Sequence, residues 1–105
     1  MKTLTGFQRN FLRKKAHELK PVVMIGKNGL SAEVIHAADS ALVDHELIKI
    51  KFIDFKEEKQ ALSRSLAVET GAYLVTVIGN VAVFYRENTD PDKKEIFLPG
   101  IHSSP

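Results

Sequence analysis

At 105 residues, 44% of them apolar and 27% charged, the chain has the length and composition of one globular domain around one core. It holds no cysteine, which excludes a disulfide framework and thiolate chemistry, and it shows neither a signal-peptide h-region nor an apolar run near the roughly 18 residues of a membrane span, so a cytoplasmic protein is expected. The net charge of +2 hides an asymmetry: residues 1–29 carry seven basic residues against Glu18 alone, a balance of +6, which leaves −4 for residues 30–105. A basic N-terminal third on an acidic body fits a polyanion partner on one side of the molecule, or simply a solvated basic helix.

Residues 5–19, "TGFQRNFLRKKAHEL", read as a first helix. Leu4, Phe7, Phe11, Leu12, Ala16 and Leu19 fall in one arc at helical spacing. Arg9, Arg13 and His17, four residues apart, form a ridge predicted on the far side of the cylinder. Lys20-Pro21 should end it, because a residue before proline is pushed out of the helical region. Val22–Ile25 is a continuous apolar run, the pattern of a strand buried on both faces.

After Gly26-Lys27-Asn28-Gly29, helical spacing resumes through Val34, Ile35, Ala38, Ala41 and Leu42. Ser31 is its N-cap, and Leu30 is placed to pack on Ile35. "HELIKIKFID" then alternates, with Ile48, Ile50 and Phe52 on one face and Lys49 and Lys51 on the other. Residues 56–70 form a third helix, amphipathic through Ala61, Leu62, Ser65, Leu66 and Glu69, with Gly71 as its C-terminal cap. Tyr73–Ile78 and Val81–Arg86 are strands joined by Gly79-Asn80, a two-residue hairpin turn of the II′ kind. Glu95–Leu98 is a candidate short strand, and residues 99–105 are expected to be a flexible tail.

The order α-β-α-β-α-β-β predicts an α/β domain over residues 1–98, with a four-stranded mixed sheet and three helices. Helical crossovers make the first three strands parallel candidates, and the hairpin adds an antiparallel one. On which sheet face the first helix packs is open at this level.

Gly26-Lys27-Asn28-Gly29 joins a strand to a helix N-terminus, where unpaired amides and the helix dipole favour an anion. Glycines let a phosphodiester backbone come close, and Lys27 adds a mobile charge. The same glycines also serve a plain strand-to-helix turn, and the loop alone does not separate the two. The Walker and dinucleotide fingerprints are absent, so a bound mononucleotide cofactor is not expected. One backbone track could pass the loop, Arg9, Arg13, Lys14 and Lys20, with Lys49, Lys51 and Arg86 extending it, and Lys15 adds to the electrostatic footprint.

"AHELKPVVMIGKNGLS", then "HELIKIKF", then "TGAYLVTVIGNVAVFYR", together resemble the CRM domain family, named for chloroplast RNA splicing and ribosome maturation, in its stand-alone bacterial YhbY-like form. The likeness spans about residues 2–98. It implies an RNA-binding α/β domain similar to the C-terminal domain of bacterial translation initiation factor three. It further implies association with ribosomal RNA in precursors of the large ribosomal subunit during ribosome assembly. The family's G-x-x-G motif falls on Gly26, Lys27, Asn28 and Gly29, and its basic surface on the first helix and its neighbours.

Three function classes compete. A non-catalytic RNA-binding protein, acting as a monomer without metal or cofactor, would hold phosphates with loop amides and lysines and select by shape and 2′-OH contacts. No Trp is present, and Tyr73, Phe84 and Tyr85 read as core. An enzyme is disfavoured because His17, His36, His45 and His102 pair with no group at metal or triad spacing. A protein-binding adaptor of ribosome or translation factors would use the acids Asp39, Asp44, Glu46, Glu57 and Glu58.

Overall fold

Helix ends follow the side chains that flank them. A computed structural model describes residues 3–99. It contains α1 (Gly6–Ala16), β1 (Pro21–Ile25), α2 (Ala32–His45), β2 (Leu47–Phe52), α3 (Lys59–Thr70), β3 (Tyr73–Ile78) and β4 (Val81–Tyr85). Single 3₁₀ turns at Lys56–Glu58 and Pro91–Lys93 precede α3 and follow β4. α1 starts at a reciprocal capping box: the Thr5 hydroxyl accepts from the Gln8 backbone amide, and the Gln8 side-chain Oε1 accepts from the Thr5 backbone amide, both at 3.0 Å. Ser31 caps α2 by accepting from the Val34 amide. Gly71 ends α3 at φ +68, as predicted for a left-handed cap. Gly79, at φ +57, opens the tight hairpin turn.

The sheet order is β1-β2-β4-β3. β1 and β2 are parallel, and β4 is antiparallel to both β2 and β3. The first three strands therefore run the same way, as their helical crossovers predict, but β4 is inserted between β2 and β3. Two apolar clusters flank the sheet. One joins Val23, Ile25, Ile50, Phe52 and Phe84 to Ala38 and Leu42 of α2 and Leu66 of α3. The other joins Leu47, Val83 and Tyr85 to Leu12 and Ala16 of α1 and to Ile96 and Leu98. α1 thus packs alone on one face, with the C-terminal segment beside it and α2 and α3 on the other.

Several expectations change. α1 stops at Ala16, with the His17 and Leu19 amides donating back to the Lys14 and Ala16 carbonyls, before Lys20-Pro21 is reached. Its buried stripe includes Gln8, whose side chain is consumed by the cap and by the Pro99 carbonyl, whereas Phe7 is exposed. α3 buries Ser63, Leu66 and Thr70, a face rotated from the predicted one, and Ala61, Ser65 and Glu69 face solvent. β1 is open on one side, with Val22 and Met24 each 51% exposed, because no helix covers that edge of the α1 face. Glu95–Leu98 forms no strand, yet Ile96 and Leu98 are buried. Of the predicted tail, Pro99 is bound by Gln8; residues 100–105 lie outside the described residues. Among the described residues, no helix is long and apolar enough to cross a membrane.

Candidate nucleic-acid interface

α1 lies over β2, β3 and β4 and leaves part of their shared face uncovered. Strand register puts Met24, Lys51, Val81 and Ile78 in one row across all four strands, on the α1 side. Met24, Lys51 and Ile78 in that row are exposed. The row belongs on this side because the alternate residues Val23, Ile25 and Ala82 enter the α2–α3 cluster. Lys49, one step back along β2, reaches the His17 carbonyl with Nζ at 3.4 Å and ties the end of α1 to the sheet. Asn10, Arg13, Lys14 and His17 border a hollow closed by Ile78. An aliphatic floor with lysines in it and a cationic helix along one wall results.

Arg9 serves a different purpose from its neighbours. Its Nη1 donates to the Leu74 and Val75 carbonyls at 3.3 and 2.9 Å, at the irregularity in β3. The predicted ridge therefore leans onto the sheet edge and does not point away from it. There it occupies carbonyls that an added strand could otherwise use.

The glycine loop leaves the far end of β1. Lys27 and Asn28 are exposed at its tip, while the Gly29 amide closes the turn on the Gly26 carbonyl at 2.9 Å. Gly29 is buried at φ +62, and a Cβ there would stand 3.3 Å from the Phe55 ring. Its glycine is thus dictated by packing as well as by backbone conformation. The Ile53 and Asp54 amides both donate to the Ile25 carbonyl, which sets the loop after β2 against the glycine loop. Asp54, Glu57 and Glu58 line a hollow with Lys27, so one flank of the loop is acidic.

A second hollow, about 600 Å³, lies where α1 ends; Lys14, Lys15, Lys20 and His45 rim it, and Leu47 and Ile96 are among its apolar lining. Its outer wall is built on Glu46, a residue not predicted to be structural. Glu46 is 1% exposed and sits at φ 61 between α2 and β2. Its carboxylate accepts from the Asn88 amide at 2.6 Å and from the Glu95 and Ile96 amides at 2.7 and 2.8 Å. Lys94 Nζ is 3.9 Å away. Burial alone would push this carboxyl up, but the three amides and Lys94 together hold it below its ordinary value. Tyr85, stacked on Tyr73 at 6.2 Å between ring centres, is buried, and burial followed by the charges of Glu46 and Glu87 pushes its phenol up.

The CRS1 / YhbY (CRM) domain matches residues 4–86. The chain belongs to this family. It is 42% identical over 100 residues to a Haemophilus influenzae protein named "RNA-binding protein", covering 94% of this chain and 98% of that one. A Bacillus subtilis protein named "Probable RNA-binding protein YqeI" is 38% identical, with 91% and 99% covered. The solution structure of hypothetical protein SAV1595 from Staphylococcus aureus matches with a TM-score of 0.78 at 39% identity, covering 92% of this chain and all of that one.

Within this CRM domain, the predicted cations other than Arg9 and Arg86 divide into three groups. Lys49 and Lys51 lie on the α1 side of β2, and Arg13 borders the hollow that Ile78 of the open row closes, with Lys14 shared between that hollow and the one at the end of α1. Lys15 and Lys20 line the latter hollow, and Lys27 with Gly26, Asn28 and Gly29 stands at the other end of β1. Arg86 does not join them. It donates to Asp39 Oδ1 at 2.6 Å and to the Thr70 carbonyl at 2.8 Å, on the α2–α3 side of the sheet. Exposed acids collect on that layer too: Glu33 and Asp44 on α2 and Glu69 on α3. No group of three or more His, Asp or Glu side chains positioned for a metal ion occurs among the described residues.

Proposed function

We propose that this CRM domain is a non-catalytic RNA-binding module whose ligand is ribosomal RNA in precursors of the large ribosomal subunit. The single observation that carries the reading is the gathering of Arg13, Lys14, Lys49 and Lys51 around an uncovered sheet face, with Lys27 at the end of the same strand edge. The RNA-binding names of full-length relatives support the ligand class; the ribosomal target rests on the family resemblance.

A ribose-phosphate chain would run from the end of α1, across Lys49 and Lys51, toward the glycine loop. Phosphate contacts of this kind set affinity and register without reading sequence. The acids on the α2–α3 layer disfavour RNA on that side. Of the five acids on which the adaptor reading rests, Glu46 is buried and Asp39 is paired with Arg86, which weakens that alternative.

The test is a titration of the full chain with large-subunit precursor RNA fragments across about 50 to 200 mM salt. Engagement of about five phosphates should give a slope of log affinity against log salt of roughly −3.5 for single-stranded RNA. A slope near zero overturns the reading. Crosslinking in cells that recovers other RNAs overturns the ribosomal part alone.

A further inference from the structure

We propose that the hollow between the end of α1 and the Glu95–Ile96 wall is a subsite for one unpaired guanine base. This rests on the RNA-binding reading above and adds to it a place where sequence is read.

The site is built on both sides. Its outer wall cannot swing away, because the Glu95 and Ile96 amides are bound to a buried carboxylate and the Ile96 side chain is itself buried. Its inner wall is tied down by the Lys49 contact to the His17 carbonyl and by the Leu19 amide, which donates to the Ala16 carbonyl at 3.0 Å. A volume of about 600 Å³ accommodates a nucleotide. The lining has the character a base needs: Leu19 and Val22 offer exposed aliphatic surface to its faces, over a floor that includes the buried Leu47 and Ile96.

Two features favour a nucleotide over an apolar peptide segment. Lys14, Lys15 and Lys20 rim the hollow, and Lys14 also borders the open sheet face, so the backbone leading to the hollow would lie on the phosphate track already described. Glu18 and Glu95 are the acids that line it. The three lysines at the rim suit the flanking phosphates, whereas the two carboxylates supply acceptors for a base edge bearing N–H donors. Guanine carries two adjacent donors, N1–H and N2–H, that one carboxylate can receive as a pair. Uracil offers a single N–H between two carbonyls. The aliphatic faces tolerate any base, so Glu18 and Glu95 carry the discrimination.

The experiment uses the full chain and short single-stranded RNAs of one composition in which a single internal position is G or U. The G-containing strand should bind roughly five- to a hundredfold more tightly, the range of a paired base-edge contact. In amide NMR spectra, GMP should shift Leu19, Val22, Glu95 and Ile96, and UMP should do so far more weakly. Glu95→Gln should reduce the G-over-U preference several-fold while binding of the U strand holds or rises. Its side chain is exposed and its amide contacts to Glu46 are backbone, so the fold is kept. Glu18→Gln is the second variant, on an exposed residue after α1.

Equal binding of both strands, nucleotide shifts elsewhere, or an unchanged preference in both variants overturns the guanine subsite and leaves general RNA binding standing. Failure of both strands to bind at low salt overturns both readings.

Discussion

Replacing Glu46 by Gln tests how the C-terminal segment is held. The carboxylate receives three backbone N–H groups at 2.6 to 2.8 Å and faces Lys94. Glutamine keeps the volume and one acceptor, which can still serve Glu95 and Ile96. Its amide group, however, meets the Asn88 N–H donor to donor. One partly buried donor left unsatisfied costs about 1–3 kcal/mol, and loss of charge assistance in the other two bonds costs roughly 1 kcal/mol each. Relief of carboxylate desolvation offsets part of this, leaving a net loss of about 2–4 kcal/mol. For a domain of this size that corresponds to a fall in Tm on the order of 10–25 °C.

The assay is denaturant unfolding followed by far-UV circular dichroism, since the chain has no Trp. pH supplies an independent check. The folded carboxyl sits below its ordinary value of 4.5, so its stabilisation is fully present above the unfolded value and is lost as pH falls through the folded one. The wild-type protein should therefore weaken below about pH 4.5, and Glu46→Gln should flatten that acid limb. A stability loss under about 1 kcal/mol, or an acid limb of equal steepness in the variant, would refute the reasoning.

Gly29→Ala should cost roughly 1–2 kcal/mol in the same unfolding assay, because φ is +62 and the new Cβ meets Phe55. Lys27→Glu, on the exposed tip of that loop, should leave Tm nearly unchanged and lower RNA affinity about tenfold or more at low salt. Lys51→Glu should behave likewise, measured by fluorescence anisotropy, and should weaken binding to many RNAs about equally. Arg86→Ala should do the reverse, losing about 1–2 kcal/mol with its bonds to Asp39 and Thr70 while RNA affinity stays within about twofold.

The parts of the fold that were legible in the sequence are those governed by neighbours along the chain. Ser31 caps the helix it precedes, Gly71 terminates the one before it, and Gly79-Asn80 reverses a hairpin, each through contacts within a few residues. The alternation of β2 was readable because one of its faces is apolar and the other carries Lys49 and Lys51. Gln8 was readable in principle, since Thr5 and Gln8 stand at capping-box spacing. Its burial depends on Pro99, which lies 91 residues away. The candidate site divides the same way. A basic helix and a glycine loop are local features, but whether Lys49 and Lys51 face that helix is a matter of sheet order.

Amino-acid order by itself determined the types of the three helices and four sheet strands, the family and the presence of an excess of positive charge near the N-terminus, because propensity, capping and charge act over short separations. Tertiary packing alone decided where that charge would act. α1 could cover only part of its sheet face, so Val22, Met24 and Lys51 remained open to solvent. Arg9 and Arg86, cations of the same kind in sequence, were drawn onto carbonyls and a carboxylate. Glu46, an acid like any other in the composition, became the buried anchor of the C-terminal segment, because its partners come from residues more than forty positions away.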